Sequence, residues 1–142
     1  MKILLDASVY APLVILAGSR LLRIADRLAI LDLTVYEVCN AFWKEARKLH
    51  RISTDDAIVA CKAAYKASKR ITVIGLDDSI VEVAMRIAAE QNITFYDASY
   101  IAASIKLGLH LASEDKDILK AGPRYGLTPL RLQDVTLLLE RS

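Results

Sequence analysis

The chain has 142 residues, with 19 Lys and Arg against 17 Asp and Glu, for a net charge of +2. That length suits one domain over residues 1–142, with a core large enough to need no disulfide staple. The two cysteines lack the spacing of a zinc site, 54% hydrophobic residues exclude disorder, and the near balance of charge excludes nucleic-acid binding by bulk charge alone.

The opening, MKILLDASVYAPLVILAG, places Asp6 where a secretory signal would be apolar, and Pro12 follows. Its apolar run from Val9 to Ala17 is too short to span a bilayer. A cytoplasmic protein with no membrane association is expected. Mean hydropathy is +0.31, which fits a full core or an apolar surface shared with a partner.

Short apolar runs alternate with longer helical patterns. Lys2 to Leu5 reads as a strand and Ala7 to Ala17 as a helix. Ser19 to Arg27 suits a short helix, and Ala29 to Leu33 a second strand. Thr34 to His50 carries Val35, Val38, Cys39, Phe42, Ala46 and Leu49 on one stripe, the mark of a helix with one buried face. Cys39 lies on that stripe and reads as core. Ser53 and Asp56 open a helix that runs to Ser68. Ile71 to Gly75 is a β-branched run. Asp77 to Gln91 is helical, with Ile80, Ala84, Ile87 and Ala88 inward. Asp97 to Leu107 is helical and Gly108 suits its end. Leu109 to Ala112 is a strand, Asp115 to Ala121 a short helix stopped by Gly122-Pro123, Thr128 to Leu132 a last strand, and Gln133 to Arg141 a closing helix. This alternation predicts an α/β fold, with a parallel sheet covered by helices on both faces.

Such sheets hold their sites beyond the carboxyl ends of the strands. Asp6 follows the first strand, and Glu37 lies in the first turn of the helix after the second. Asp97 starts the helix that feeds the strand Leu109 to Ala112, and Asp115 follows that strand. Each acid is also a plausible helix cap: Thr34 with Glu37 fits a capping box, Thr94 with Asp97 has similar spacing, and Asp6, Asp97 alone and Asp115 suit cap positions. Capping leaves unexplained why so many charged groups meet at one edge. Crowded carboxylates raise one another's pKa, and a divalent cation removes that conflict. An all-oxygen donor set favours Mg²⁺ or Mn²⁺ over zinc. The chemistry such an ion supports is cleavage of a phosphodiester bond.

The segments Leu4-Leu5-Asp6-Ala7-Ser8, Glu37 to Lys44, Tyr96 to Ser104 and Leu111 to Asp117, in that order, resemble those of PIN-domain nucleases. Within that family they are most similar to the VapC-type toxins of toxin–antitoxin pairs. The resemblance implies a three-layer α/β/α fold with a parallel sheet of about five strands, and Mg²⁺- or Mn²⁺-dependent cleavage of RNA. It implies Asp6, Glu37, Asp97 and Asp115 as catalytic, metal-binding acids, with Asp117 as a further ligand through water. Ser8, Asn40 and Ser113 fall at its supporting polar positions. Glu114 stays open beside Asp115 and Asp117 as the fourth ligand. An antitoxin partner and a homodimer follow from the same resemblance, the dimer centred on Val9, Leu13, Leu16 and Trp43.

Lys44, Arg47, Lys48 and Arg51 on one helix, with Lys62, Lys66, Lys69 and Arg70 on the next, form a basic hairpin suited to RNA phosphates or simply to solvent. Lys44 lies two turns beyond Glu37 on its face. Lys116 and Lys120 flank Asp115. Tyr96 and Tyr100 flank Asp97 and read mainly as core. Two other readings stay open: a non-catalytic PIN-like binding module, and an RNA-processing nuclease without an antitoxin.

Overall fold

The computed structural model describes residues 2–142. Four parallel strands, β1 (Ile3–Leu5), β2 (Leu28–Leu31), β3 (Thr72–Ile74) and β4 (His110–Ala112), form one sheet in the order β3-β2-β1-β4. Seven α-helices accompany them among the described residues: α1 (Ala7–Ala17), α2 (Thr34–Trp43), α3 (Thr54–Ser68), α4 (Asp78–Gln91), α5 (Phe95–Leu107), α6 (Lys116–Ala121) and α7 (Leu132–Arg141).

The central strands are buried on both faces, and alternate residues divide between two cores. Ile3, Leu5, Leu28 and Ile30 face α1, α2, α3 and α7. Leu4, Ala29, Leu31 and Leu111 face α4, α5 and α6. The result is the expected three-layer α/β/α arrangement. Helix α5 is buried over the run from Ala98 to Ser104, where small residues allow close approach to α4 and the sheet.

The sheet has four strands where about five were expected. Leu130 alone bridges β4: its N–H donates to Leu111 O at 2.8 Å, and Ser113 N–H donates to Leu130 O at 2.9 Å. Pro129 on one side has no N–H to give. On the other, the Arg131 N–H is taken by Asp134 Oδ2 at 2.8 Å as α7 begins. The pairing therefore stops after one residue.

Two further expectations are corrected. The segment from Thr34 to His50 is α-helical to Trp43 and then widens into a π turn, Lys44–Lys48. Ser19 to Arg27 folds as two 3₁₀ turns, Gly18–Arg23 and Ala25–Arg27. The short helix α6 ends at Ala121 as expected, and a 3₁₀ turn, Gly122–Tyr125, follows it. No helix of the described residues is long and apolar enough to cross a membrane.

Candidate active site

The parallel register brings the ends of β1 and β4 side by side, with Leu5 opposite Ala112. Asp6 follows β1 and is 3% exposed. It caps α1 as expected, accepting the Val9 N–H at 3.1 Å on Oδ1. The Ser8 hydroxyl donates to the same oxygen at 2.6 Å, and the Ser113 hydroxyl donates to Oδ2 at 2.5 Å. Ser8 accepts the Glu114 N–H at 2.8 Å and Ser113 accepts the Asp115 N–H at 2.9 Å. Two serines thus tie the β4–α6 loop to the β1–α1 turn through one carboxylate.

Asp115 is the N-cap of α6: its Oδ1 accepts the N–H groups of Asp117 at 2.9 Å and Ile118 at 3.2 Å. Asp97 is not a cap. Thr94 holds that position in α5, its hydroxyl oxygen accepting the Asp97 N–H at 3.1 Å, and Asp97 sits in the first turn. The capping box expected of Thr34 and Glu37 does not form. Thr34 is itself helical, and its Oγ1 accepts the Leu31 N–H at 3.0 Å. Glu37 instead receives the Tyr100 hydroxyl on Oε1 at 2.6 Å.

Asp97, Asp115 and Asp117 each offer a carboxylate oxygen within 4.8 Å of the others. Burial, then the charge of Asp115, pushes Asp97 up to about 6, with Glu37 and Asp117 adding to the push and the Thr94 hydroxyl opposing it. Burial also raises Glu37, helped by the charges of Asp6 and Asp115 and opposed by the Tyr100 bond. Asp6 is raised by burial and by Asp115, against the three groups that donate to it. The ion pairs among the described residues, Arg51–Glu45, Arg86–Glu82 and Arg131–Glu114, include none of these five acids. An all-oxygen, net-negative and half-buried cluster without a Lys or Arg partner fits a hard divalent cation.

Glu114 points elsewhere. Arg131 Nε donates to its Oε2 at 2.6 Å, with a second Arg131 nitrogen on the same oxygen, and the Leu132 N–H reaches Oε1 at 3.0 Å. The Arg131 guanidinium holds its carboxyl below the usual range. Glu114 therefore anchors α7, and Asp117 joins the cluster. Asn40 is exposed, one turn beyond Glu37, with no side-chain hydrogen bond among the described residues. Lys44 and Lys116 are exposed.

In the basic hairpin several cations are engaged. Lys48 lies over the Trp43 ring at 5.7 Å, Lys69 over Tyr65 at 4.6 Å, and Arg51 pairs with Glu45. A polar pocket of about 270 Å³ opens beside Asp117, lined by Lys120, Arg124, Gln91 and Asn92. Sequence reasoning reached Lys120 but missed Arg124, which the chain brings in from beyond α6.

Tyr100 is buried as expected, whereas Tyr96 is 61% exposed. Val9 and Leu13 are in the core and cannot form a dimer surface. Leu16 and Trp43 are exposed, as are Ile15 and Leu22. Cys39 is half-buried and shares an apolar groove of about 590 Å³ with Cys61, Val35 and Tyr65. Burial, then its neighbour Cys61, pushes the Cys39 thiol up to about 11.

The fold is a parallel α/β sheet with an acidic edge at its strand ends, and the family model of the PIN domain matches residues 3–122. The chain belongs to the PIN-domain family. It is 37% identical over 94 residues to Exonuclease VapC9 of Pyrobaculum aerophilum, a match covering 66% of each chain. It is 30% identical over 128 residues to Ribonuclease VapC3 of the same organism, covering 87% of this chain and 96% of that one. Among solved structures, PAE2754 from Pyrobaculum aerophilum superposes with a TM-score of 0.79 at 30% identity, over 100% of this chain and 91% of the other. DNA-bound VapBC from Salmonella typhimurium shares the fold, with a TM-score of 0.66 at 15% identity, over 93% of this chain and 98% of that one.

Proposed function

We propose that residues 1–142 form one nuclease domain that hydrolyses RNA phosphodiester bonds with Mg²⁺ or Mn²⁺, and that it is the toxin of a toxin–antitoxin pair. The observation that carries this is the convergence of Asp97, Asp115 and Asp117 within 4.8 Å, joined electrostatically by Asp6 and Glu37. The names of the two curated relatives, a ribonuclease and an exonuclease, agree with it.

Asp6, Glu37, Asp97 and Asp115 would hold the ion, with Asp117 reaching it through water. A divalent ion held there would supply Lewis-acid chemistry, polarising a phosphoryl oxygen and lowering the pKa of a bound water. Asp97 would accept the proton of the attacking water. Asp6 suits that role less, since hydroxyl donors occupy both of its oxygens. Ser8 and Ser113 position the acids. Lys116, Lys120 and Arg124 would meet flanking phosphates, with Lys44, in the π turn after the helix bearing Glu37, as a further contact.

The proposed partners are RNA, an antitoxin protein and a second copy of the chain, in the cytoplasm. Exposed Ile15, Leu16, Leu22 and Trp43, with the apolar groove beside Cys39, give protein partners surface to cover. A VapBC complex among the structural neighbours motivates the antitoxin.

The test is incubation with linear and circular RNA in Mn²⁺ or in EDTA. Cleavage of both RNAs in Mn²⁺ alone is expected, because the reading is of internal cleavage. Digestion of linear RNA only would replace that with cutting from an end. Intact RNA in Mn²⁺, or cleavage that survives EDTA, would overturn the nuclease reading itself.

A further inference from the structure

Glu37 is held by a chain of three hydroxyl and amide groups reaching back into the core. The Leu31 N–H donates to Thr34 Oγ1 at 3.0 Å. Thr34 Oγ1 and Tyr100 Oη are 2.7 Å apart, and Tyr100 Oη is 2.6 Å from Glu37 Oε1. Thr34 is fully buried and Tyr100 is 1% exposed. An ionised carboxylate accepts and cannot donate, so the single phenolic proton goes to Glu37. Thr34 must then give its own proton to Tyr100. Every hydrogen in the chain is assigned, and each points toward Glu37.

Thr34 alone could satisfy the buried phenol by accepting its proton, but the phenolic proton goes to Glu37 instead. The second bond, to an acid at the rim of the site, does something more. It engages Oε1 of Glu37, while Oε2 accepts no hydrogen bond among the described residues. Tyr100 stands three residues after Asp97, on the same face of α5. One helix therefore supplies Asp97 to the cluster and braces Glu37, which stands beside it on α2.

We propose that Tyr100 and Thr34 are positioning residues that present Glu37 to the cation through a single oxygen. This rests on the metal-site reading above. Groups that orient a ligand from behind change metal affinity or activity by about 10–100-fold when removed. A residue that merely fills the core would alter melting temperature and leave metal affinity alone.

Calorimetric titration of Mn²⁺ into metal-free wild type, Tyr100→Phe, Thr34→Val and Thr34→Ser separates these roles. Tyr100→Phe and Thr34→Val should bind Mn²⁺ about 10–100-fold more weakly. Thr34→Ser keeps the hydroxyl and should bind like wild type. The kcat of Tyr100→Phe should be low at limiting Mn²⁺ and recover with excess, with KM for RNA unchanged. Wild-type affinity in Tyr100→Phe, beside a wild type that binds, overturns this inference alone. A wild type that binds no Mn²⁺ overturns the metal-site reading and this inference with it. If circular dichroism shows Tyr100→Phe unfolded, the two Thr34 variants decide, and equal affinity in Val and Ser overturns the proposal.

Discussion

The Ser113 hydroxyl donates to Asp6 Oδ2 at 2.5 Å across 107 residues of chain, in a place where both residues are shut off from solvent. The contact exists because β1 and β4 are parallel neighbours, so the residues just past their ends meet. Ser113 also accepts the Asp115 N–H at 2.9 Å. One hydroxyl thus fixes the spacing of two acids. Ser113→Ala strands a buried carboxylate oxygen and a backbone N–H, which costs about 1–3 kcal/mol for each group left without a partner. Denaturant unfolding should show that loss, and Mn²⁺ binding should weaken. A variant as stable as wild type would mean that the contact contributes nothing.

The acids also set a pH dependence. Asp97 is raised from an ordinary 3.8 to about 6. The folded chain therefore holds a proton that the unfolded chain has released between those values, and metal-free stability falls as pH rises through that window. Asp6 and Glu37 are shifted the same way. Asp77 and Glu114 are held low, so their contribution is lost only on going below the usual carboxylate range. Melting temperature in EDTA should decline from about pH 4 to about pH 6.5. Apparent Mn²⁺ affinity should rise over the same range as the proton leaves. A metal-free melting temperature that climbs with pH there would contradict the crowding of these acids.

Glu114 and Asp117 should separate cleanly. Glu114→Gln weakens a partly exposed pair with Arg131, worth at most about 1 kcal/mol, and cleavage should stay near the wild-type rate. Asp117→Asn should weaken Mn²⁺ binding, less than Asp115→Asn does, because Asp117 is exposed. The reverse order in a metal titration would put Glu114 in the site.

Removing Lys120 and Arg124 together by alanine should raise KM for RNA and leave kcat unchanged, with a shallower dependence of KM on salt. Unchanged KM would place the RNA elsewhere.

Much of the site was legible because it sits where chain order and topology coincide. Asp6 directly follows a strand-like run and Asp115 comes just after another, while Glu37 and Asp97 lie in the first turns of the helices α2 and α5. The layer order followed from strand–helix alternation. What stayed hidden depends on long-range contacts or on competition for one group. Thr128 to Leu132 has strand composition, yet Pro129 and the start of α7 take away the N–H groups that a strand needs. Thr94 and Asp97 are both good caps, and the sequence does not say that the threonine holds the position. Tyr100 reads as core from its neighbours Ala98-Ser99 and Ala102-Ala103. Its bond to Glu37 spans 63 residues. Val9 and Leu13 looked like a surface stripe because a helix covered on several sides leaves no polar face to mark its orientation.

Asp97→Asn tests the central claim most directly. Thr94 caps α5, so the substitution leaves the cap in place and removes the charge of one acid. The measurement is the single-turnover rate of RNA cleavage at saturating Mn²⁺, with melting temperature recorded on the same samples. The account predicts a fall of about 10²–10⁴-fold, the range a positioned general base contributes, with a metal-free melting temperature equal to or above wild type as repulsion is relieved. An Asp97→Asn protein that is folded and cuts RNA at near the wild-type rate would contradict it.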